Sequence, residues 1–227
     1  MTSADILNKS LFICYSTPNY SKLTELCLKS LTDIGVKNIE HLLDYPDQSL
    51  MEKTGFQSDL WYYSTNQKMV HLVNSLKKYK SNTEYKYFVL CDCDIIFIKK
   101  NIAEWQNLEI ILRNDTNKDI FYMKEYASDV NTGFVIIKNN ENIDNIIHFY
   151  EEAIHLFQNS SKLTNKYGDQ SVVNRIKHKI RYGFIPNEYV IWGEKIYNKH
   201  KSLFHHAVCC KDVDDKIVQI NKIQSAF

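Results

Sequence analysis

Glycine and proline are scarce in this chain, six and three among 227 residues, which excludes collagen-like, linker-rich and low-complexity architectures. Long hydrophobic runs are missing as well. Ile95-Ile96-Phe97-Ile98 is typical of the longest, far short of the roughly 20 apolar residues a membrane-spanning helix requires. Net charge is close to zero, with 28 Lys and Arg against 27 Asp and Glu, so no overall field gathers nucleic acid or an anionic membrane surface. The segment Met1–Asn8 carries Asp5 and no basic stretch leading into an apolar one, so no signal peptide is expected. No two cysteines stand in C-x-x-C spacing. Cysteines occur at 14, 27, 91, 93, 209 and 210, mostly inside apolar runs, where a thiol packs as a small hydrophobe. A zinc site built from Cys91, Cys93, Cys209 and Cys210 is disfavoured, because adjacent side chains diverge in extended backbone. The expectation is a soluble protein of a reducing, cytoplasmic compartment.

What is present is an ordinary globular balance, 44% hydrophobic and 24% charged. A chain this long buries roughly 70% of its unfolded surface and needs no covalent staples. Apolar runs and helical stripes alternate. Leu11–Tyr15 reads as a buried strand, closed by the Ser16-Thr17-Pro18-Asn19 turn. A helix follows through Leu23, Cys27, Leu31 and Ile34, with Gly35 as its stop. Val36–Leu43 then makes a second strand and a βαβ opening, hence a parallel pair. Residues 44–64 have no clear period. A helix through Met69, Leu72 and Leu76 has Lys68 at its front end, and strands follow at Tyr85–Cys91, Asp119–Met123 and Gly133–Ile137. The stripe Ile143, Ile146, Ile147, Tyr150, Ile154, Phe157 is the clearest amphipathic helix. A shorter helix spans Asp169–Lys179, strands lie at Tyr182–Ile185, Tyr189–Trp192 and Leu203–Cys209, and a last helix starts at Asp212. The whole, residues 1–227, reads as one α/β domain.

Two carboxylates, Asp92 and Asp94, stand at the end of the buried strand Tyr87–Cys91. In extended backbone they project to one side. With no Lys or Arg beside them in sequence they repel one another, a repulsion that a hard divalent cation removes. The carboxyl ends of strands are also where open α/β sheets bind ligands.

This apolar strand, Asp92-Cys93-Asp94, apolar strand pattern resembles the DxD of nucleotide-sugar glycosyltransferases with the GT-A fold. Three further segments follow in that family's order. Asn131-Thr132-Gly133, before a strand, resembles its donor-sugar segment. Gly168-Asp169-Gln170, opening a helix, resembles its site near sugar and acceptor. Phe204-His205-His206-Ala207 resembles its late metal-binding histidine, with His206 favoured by the following Ala and His205 kept open.

The resemblance implies a GT-A type, mostly parallel sheet flanked by helices. It also implies transfer of a sugar from a nucleotide-diphosphate donor, most simply a UDP-sugar, to a glycan, protein or small-molecule hydroxyl. It implies Mn²⁺ or Mg²⁺ held by Asp92, Asp94 and His206, and a nucleotide beside Thr17, Asn19, Tyr20, Lys68, Asp92, Cys93 and Asp94, with Lys211 as a further phosphate contact. Sugar and acceptor would meet Asn131, Thr132, Gly133, Gly168, Asp169 and Gln170. Asp169 is the candidate base if the sugar inverts and a positioning group if it does not; as an alternative it is only a helix N-cap.

Two other readings are open at this level. A strand followed by DxD also resembles the nucleophile motif of haloacid-dehalogenase-type phosphohydrolases, with Asp214-Asp215 as its late acidic pair. A non-catalytic sugar-binding module would use the aromatics around Trp61, but would not require Asp92 and Asp94.

Overall fold

The computed structural model describes residues 5–53, 55–160 and 168–227. Residues 1–4, part of the segment read for a signal peptide, lie outside the described residues. The elements in chain order are α1 (Asp5–Asn8), β1 (Ser10–Ser16), α2 (Ser21–Asp33), β2 (Ile39–Leu43), α3 (Gln48–Met51), α4 (Asp59–Tyr79), β3 (Tyr87–Asp92), β4 (Ile95–Phe97) and α5 (Glu104–Asn114). They continue with β5 (Ile120–Lys124), β6 (Val130–Lys138), α6 (Ile143–Ser160), α7 (Asp169–Ile176), β7 (Tyr182–Phe184), β8 (Val190–Trp192), β9 (Lys195–Ile196), β10 (Phe204–His206) and α8 (Val213–Gln224). No helix among the described residues is long and apolar enough to cross a membrane.

A six-stranded sheet has the order β2-β1-β3-β6-β5-β7. Pairing is parallel except at β6, which runs against both β3 and β5. The pleat sends alternate residues to opposite faces, and each face is covered by helices. Phe12 and Cys14 pack with Leu23, Cys27 and Leu31 of α2 and Trp105, Leu108 and Leu112 of α5. Leu11 and Ile13 pack on the other face with Met69, Leu72 and Leu76 of α4, Ile146 and Tyr150 of α6 and Val172 of α7. This is the α/β fold expected, a mostly parallel sheet between helices. A smaller sheet, β4-β10-β8-β9, adjoins it.

Four local readings need correction. The helix carrying Lys68 starts at Asp59, capped by the Ser58 hydroxyl accepting from the Trp61 N–H. Lys68 is therefore in mid-helix; the first two turns carry half-exposed aromatics rather than an apolar stripe, which hid them. Asn131-Thr132-Gly133 lies inside β6, not before it. Its register against β5 shifts between Tyr122 and Met123, which pair with Val135 and Asn131. Such a bulge re-aims side chains. Asp92 and Asp94 do not share one extended strand, since β3 ends at Asp92 and Cys93-Asp94 turns into β4 of the second sheet. The Val36–Leu43 strand begins only at Ile39, after the chain leaves Gly35 at φ +90°.

The far edge is tied by a charge. Asp119, buried just before β5, accepts from Arg181 Nε at 2.7 Å and Nη2 at 2.8 Å, and from Asn140 Nδ2 at 3.0 Å. Burial pushes its carboxyl pKa up, but Arg181 and the Asn140 and Asn142 amides outweigh burial and hold it below the usual carboxylate range. A depressed pKa stabilises the fold above the unfolded value, near 3.9, and that contribution fades as pH falls through the folded one. Asp119→Ala should therefore lose about 1–3 kcal/mol at pH 7, with the gap to the native chain closing below about pH 4. Urea denaturation at the two pH values measures it, and a gap independent of pH would remove the charge from the explanation.

Candidate functional site

The site forms where the two sheets meet. Asp92 closes β3 in the large sheet, and three residues later Ile95 opens β4 in the small one. β10 pairs antiparallel with β4, setting His206 opposite Ile95, and the Ala207 N–H donates to the Asp94 carbonyl at 3.0 Å. This register brings His206 Nε2 to 3.3 Å from Asp94 Oδ1. His205, one step along, turns the other way, its Nε2 lying 3.2 Å from Gln219 Oε1 on α8. Burial pushes the His205 pKa down to about 4, so that ring is neutral at physiological pH.

Two lysines, both distant in sequence, meet the carboxylates. Lys68 is buried, with Nζ 2.8 Å from Asp92 Oδ1, 2.7 Å from Asp169 Oδ2 and 3.4 Å from the Thr132 carbonyl. Burial alone would lower its pKa; the charges of Asp169 and Asp92 outweigh that and raise it. Lys216 of α8 donates to Asp94 Oδ2. Asp94 is buried, which disfavours its charge, yet Lys216 and His206 hold its carboxyl well below the usual range. Asp92 is less compensated, and burial raises its pKa despite Lys68. The like-charge repulsion expected from sequence is thus already opposed by ammonium groups that the fold delivers.

Asp169 is not the N-cap of its helix. Gly168 holds that position, and Asp169 Oδ2 accepts from Thr132 Oγ1 at 2.8 Å as well as pairing with Lys68. Asn131 Oδ1 accepts from the Gly133 N–H at 2.9 Å, while Nδ2 donates to Gln170 Oε1 at 2.8 Å. Gln170 in turn donates to Glu125, a carboxylate that the sequence reading did not single out. Both glycines are set by space. A Cβ on Gly133 would stand 2.5 Å from His206 Cε1 and 3.0 Å from Asp92 Oδ2; one on Gly168 would stand 2.2 Å from the Trp61 ring.

An open cleft of about 680 Å³ lies over this cluster, lined by Thr17, Asn19, Tyr20, Trp61, Lys68, Asp92, Cys93, Asp94 and Lys216 among others. Thr17, Asn19, Tyr20, Lys68, Asp92, Cys93 and Asp94 therefore face one space, whereas His206, Asn131, Thr132, Gly133, Gly168, Asp169 and Gln170 are not among its lining residues. Lys211 does not line it; it is exposed before α8, and Lys216 takes the position beside Asp94. Lys216, which the sequence reading did not single out, carries a sequence signal that could have found it, and Lys68, already a candidate, carries the same one. Lys68 stands one turn before Leu72 and two before Leu76, and Lys216 one turn before Ile220, so each interrupts a buried stripe.

The donor set Asp92, Asp94 and His206 has its ligand atoms within 4.8 Å of one another. Asp94 Oδ1 is buried without a hydrogen bond although it faces a ring nitrogen. Carboxylate and imidazole together suit Mn²⁺ or Mg²⁺-class ions, carboxylate most strongly, so these residues fit such a cation. The four cysteines considered for zinc are not gathered.

Residues 36–220 match the sequence pattern of a family described as nucleotide-diphospho-sugar transferases. No curated sequence relative matches the chain. Among solved structures, a glycosyltransferase involved in glycosylating the major capsid of PBCV-1 superposes with a TM-score of 0.62 at 15% identity, over 93% of this chain and 98% of that one. The glycosyltransferase GlyE of Streptococcus pneumoniae TIGR4 gives 0.55 at 13% identity, over 96% of this chain but 64% of GlyE. Mouse xyloside xylosyltransferase 1 gives 0.52 at 11% identity, over 89% and 98%. At these identities the likeness is one of fold.

Removing the Lys68 ammonium should expose how much the site depends on it. Lys68→Met leaves the buried Asp169 and the part-buried Asp92 without their counter-ion, a loss of about 3–5 kcal/mol at pH 7. Because a raised lysine pKa acts only well above neutrality, the native chain is flat in this respect between pH 5 and 8, whereas the variant should regain stability toward pH 5 as carboxylates protonate. Denaturant melts at pH 5 and 7 measure both; a loss below about 1 kcal/mol, as for an exposed pair, would show that the ammonium is not what holds them.

Proposed function

The chain belongs to the nucleotide-diphospho-sugar transferase family and is a sugar-transferring enzyme, and from that premise we propose that it moves a sugar from a UDP-sugar to a hydroxyl acceptor with the help of a divalent cation. The observation that carries this reading is the meeting of Asp92, Asp94 and His206, of which the two carboxylates line the same cleft as Thr17, Asn19 and Tyr20. Asp92, Asp94 and His206 would hold Mn²⁺ or Mg²⁺, which supplies charge stabilisation for a diphosphate leaving group.

The chain's own groups divide the remaining work. Thr17 and Asn19, coupled by a 2.5 Å hydrogen bond, offer polar edges to a nucleobase, and the half-buried Tyr20 ring offers a stacking face. Lys216 brings a cation to the diphosphate side. Asn131, Gln170 and Glu125 form a hydrogen-bonded set suited to sugar hydroxyls, each able to exchange a mutual bond for one to a ligand. Asp169 is tied to the same centre through Lys68 and would serve the sugar side from that fixed position. That rigidity suits either a base toward the acceptor hydroxyl or a hydroxyl-positioning group. The phosphohydrolase reading falls with the family match, and Asp214 and Asp215 sit exposed on the first turn of α8. A cytoplasmic setting belongs to the same proposal, supported by six free thiols.

The test is calorimetric titration of UDP with Mn²⁺ and with chelator, joined to a screen of nucleotide sugars for Mn²⁺-dependent donor hydrolysis. Tighter UDP binding with Mn²⁺ is expected, and equal affinity in chelator would overturn the metal-assisted reading. Asp94→Ala should fold, since Lys216 keeps a fifth of its side chain exposed and can turn to solvent, but lose the Mn²⁺ dependence of UDP binding. Asp169→Asn should keep UDP affinity and lose transfer by about 10²-fold or more if Asp169 is the base; undiminished turnover would remove it from the chemistry.

A further inference from the structure

We propose that Cys14, Cys27 and Cys91 form a three-thiolate site for a soft, thiophilic metal ion, separate from the carboxylate–histidine cluster and independent of the reading of that cluster. Cys14 of β1 and Cys91 of β3 are register partners on neighbouring parallel strands, and Cys27 comes down from α2 onto the same face. Each is at most 1% exposed. Their sulfurs all lie within 4.8 Å of one another, the Cys27–Cys91 pair at 3.9 Å. A point equidistant from three sulfurs so spaced is roughly 2.3–2.8 Å from each, a range that starts at the Zn–S bond length of about 2.3 Å and extends to larger soft ions.

The donor chemistry selects the class. Three sulfurs with no carboxylate or imidazole among them favour Zn²⁺, Cd²⁺ or Cu⁺ over the hard ions suited to Asp92 and Asp94. Without metal, the Cys91 and Cys27 thiols point at one acceptor, the Asp92 carbonyl, at 3.4 and 3.8 Å. Binding replaces thiol protons, which leave to solvent; three sulfur–metal bonds form, and no electron changes hands. The same Asp92 whose carboxylate meets Lys68 thus has its carbonyl on the thiol cluster, so occupancy braces the end of β3 directly beneath the transfer site. An ion bound only by the folded chain also stabilises the fold by mass action.

The experiment uses Cd²⁺ as the probe on a chain carrying Cys93→Ser, Cys209→Ser and Cys210→Ser, which leaves the buried trio as its only thiols. Native chain with its accessible thiols alkylated serves as a second preparation if that variant folds poorly. Because the trio is closed to solvent, each is titrated both folded and after refolding in Cd²⁺. The expected result is one Cd²⁺ per chain, a sulfur-to-cadmium charge-transfer band with the intensity of three thiolates, and a raised melting temperature. All three should vanish on adding Cys27→Ser. Absence of the band under both regimes, an intensity of fewer than three thiolates, or a band that survives Cys27→Ser would each overturn the site. None of these readouts depends on sugar transfer.

Discussion

A single buried ammonium holds the site together. Lys68 reaches Asp92 on β3, Asp169 on α7 and the Thr132 carbonyl on β6 from the middle of α4. Isolated carboxylates in that position would face a desolvation cost of several kcal/mol each. The lysine offsets much of it and fixes the distance between the end of β3 and the start of α7. Thr132 then completes Asp169, and the bulge in β6 that presents Thr132 also puts Gly133 under His206. The end of β3 and the start of α7 are therefore joined by ion pairs rather than by apolar packing alone.

The second constraint is the passage of the chain from one sheet to the other between Asp92 and Ile95. A continuous strand would have carried Asp94 along the sheet edge. The turn instead hands it to β4, whose antiparallel pairing with β10 delivers His206 from more than a hundred residues later. Two sheets meeting at one turn give a carboxylate–imidazole cluster whose members are fixed by ladder register, which is a stiffer way to place ligands than a loop. Gly133 records the closeness of that meeting, since a methyl group there has no room beside His206 and Asp92.

The alternation of strands and helices, the helices through Leu23–Ile34 and Ile143–Phe157, and the DxD at a strand end were legible because each is a local pattern of period 2 or 3.6. The same local logic separated His205 from His206, which do face opposite ways. It misplaced the start of α4 because Trp61, Tyr62 and Tyr63 are half-exposed and form no apolar stripe, Trp61 lining the cleft and Tyr63 donating to Asp44. It placed Asn131-Thr132-Gly133 before a strand rather than within one, since nothing in a single strand announces a bulge that depends on its neighbour's register.

Charge patterning along one chain shows which carboxylates are adjacent, and so Asp92 and Asp94 were found as a repelling pair. Which cations answer them is a matter of contacts between elements: Lys68 24 residues before Asp92, and Lys216 122 residues after Asp94. Lys68 and Lys216 leave a trace in sequence, a charge on an otherwise buried stripe, but the trace names no partner. Composition and periodicity determined that this chain builds an α/β domain with acidic chemistry at a strand end. Tertiary structure alone decided how that acid is compensated, because ion pairs and thiol contacts act through space, over distances that sequence separation does not measure.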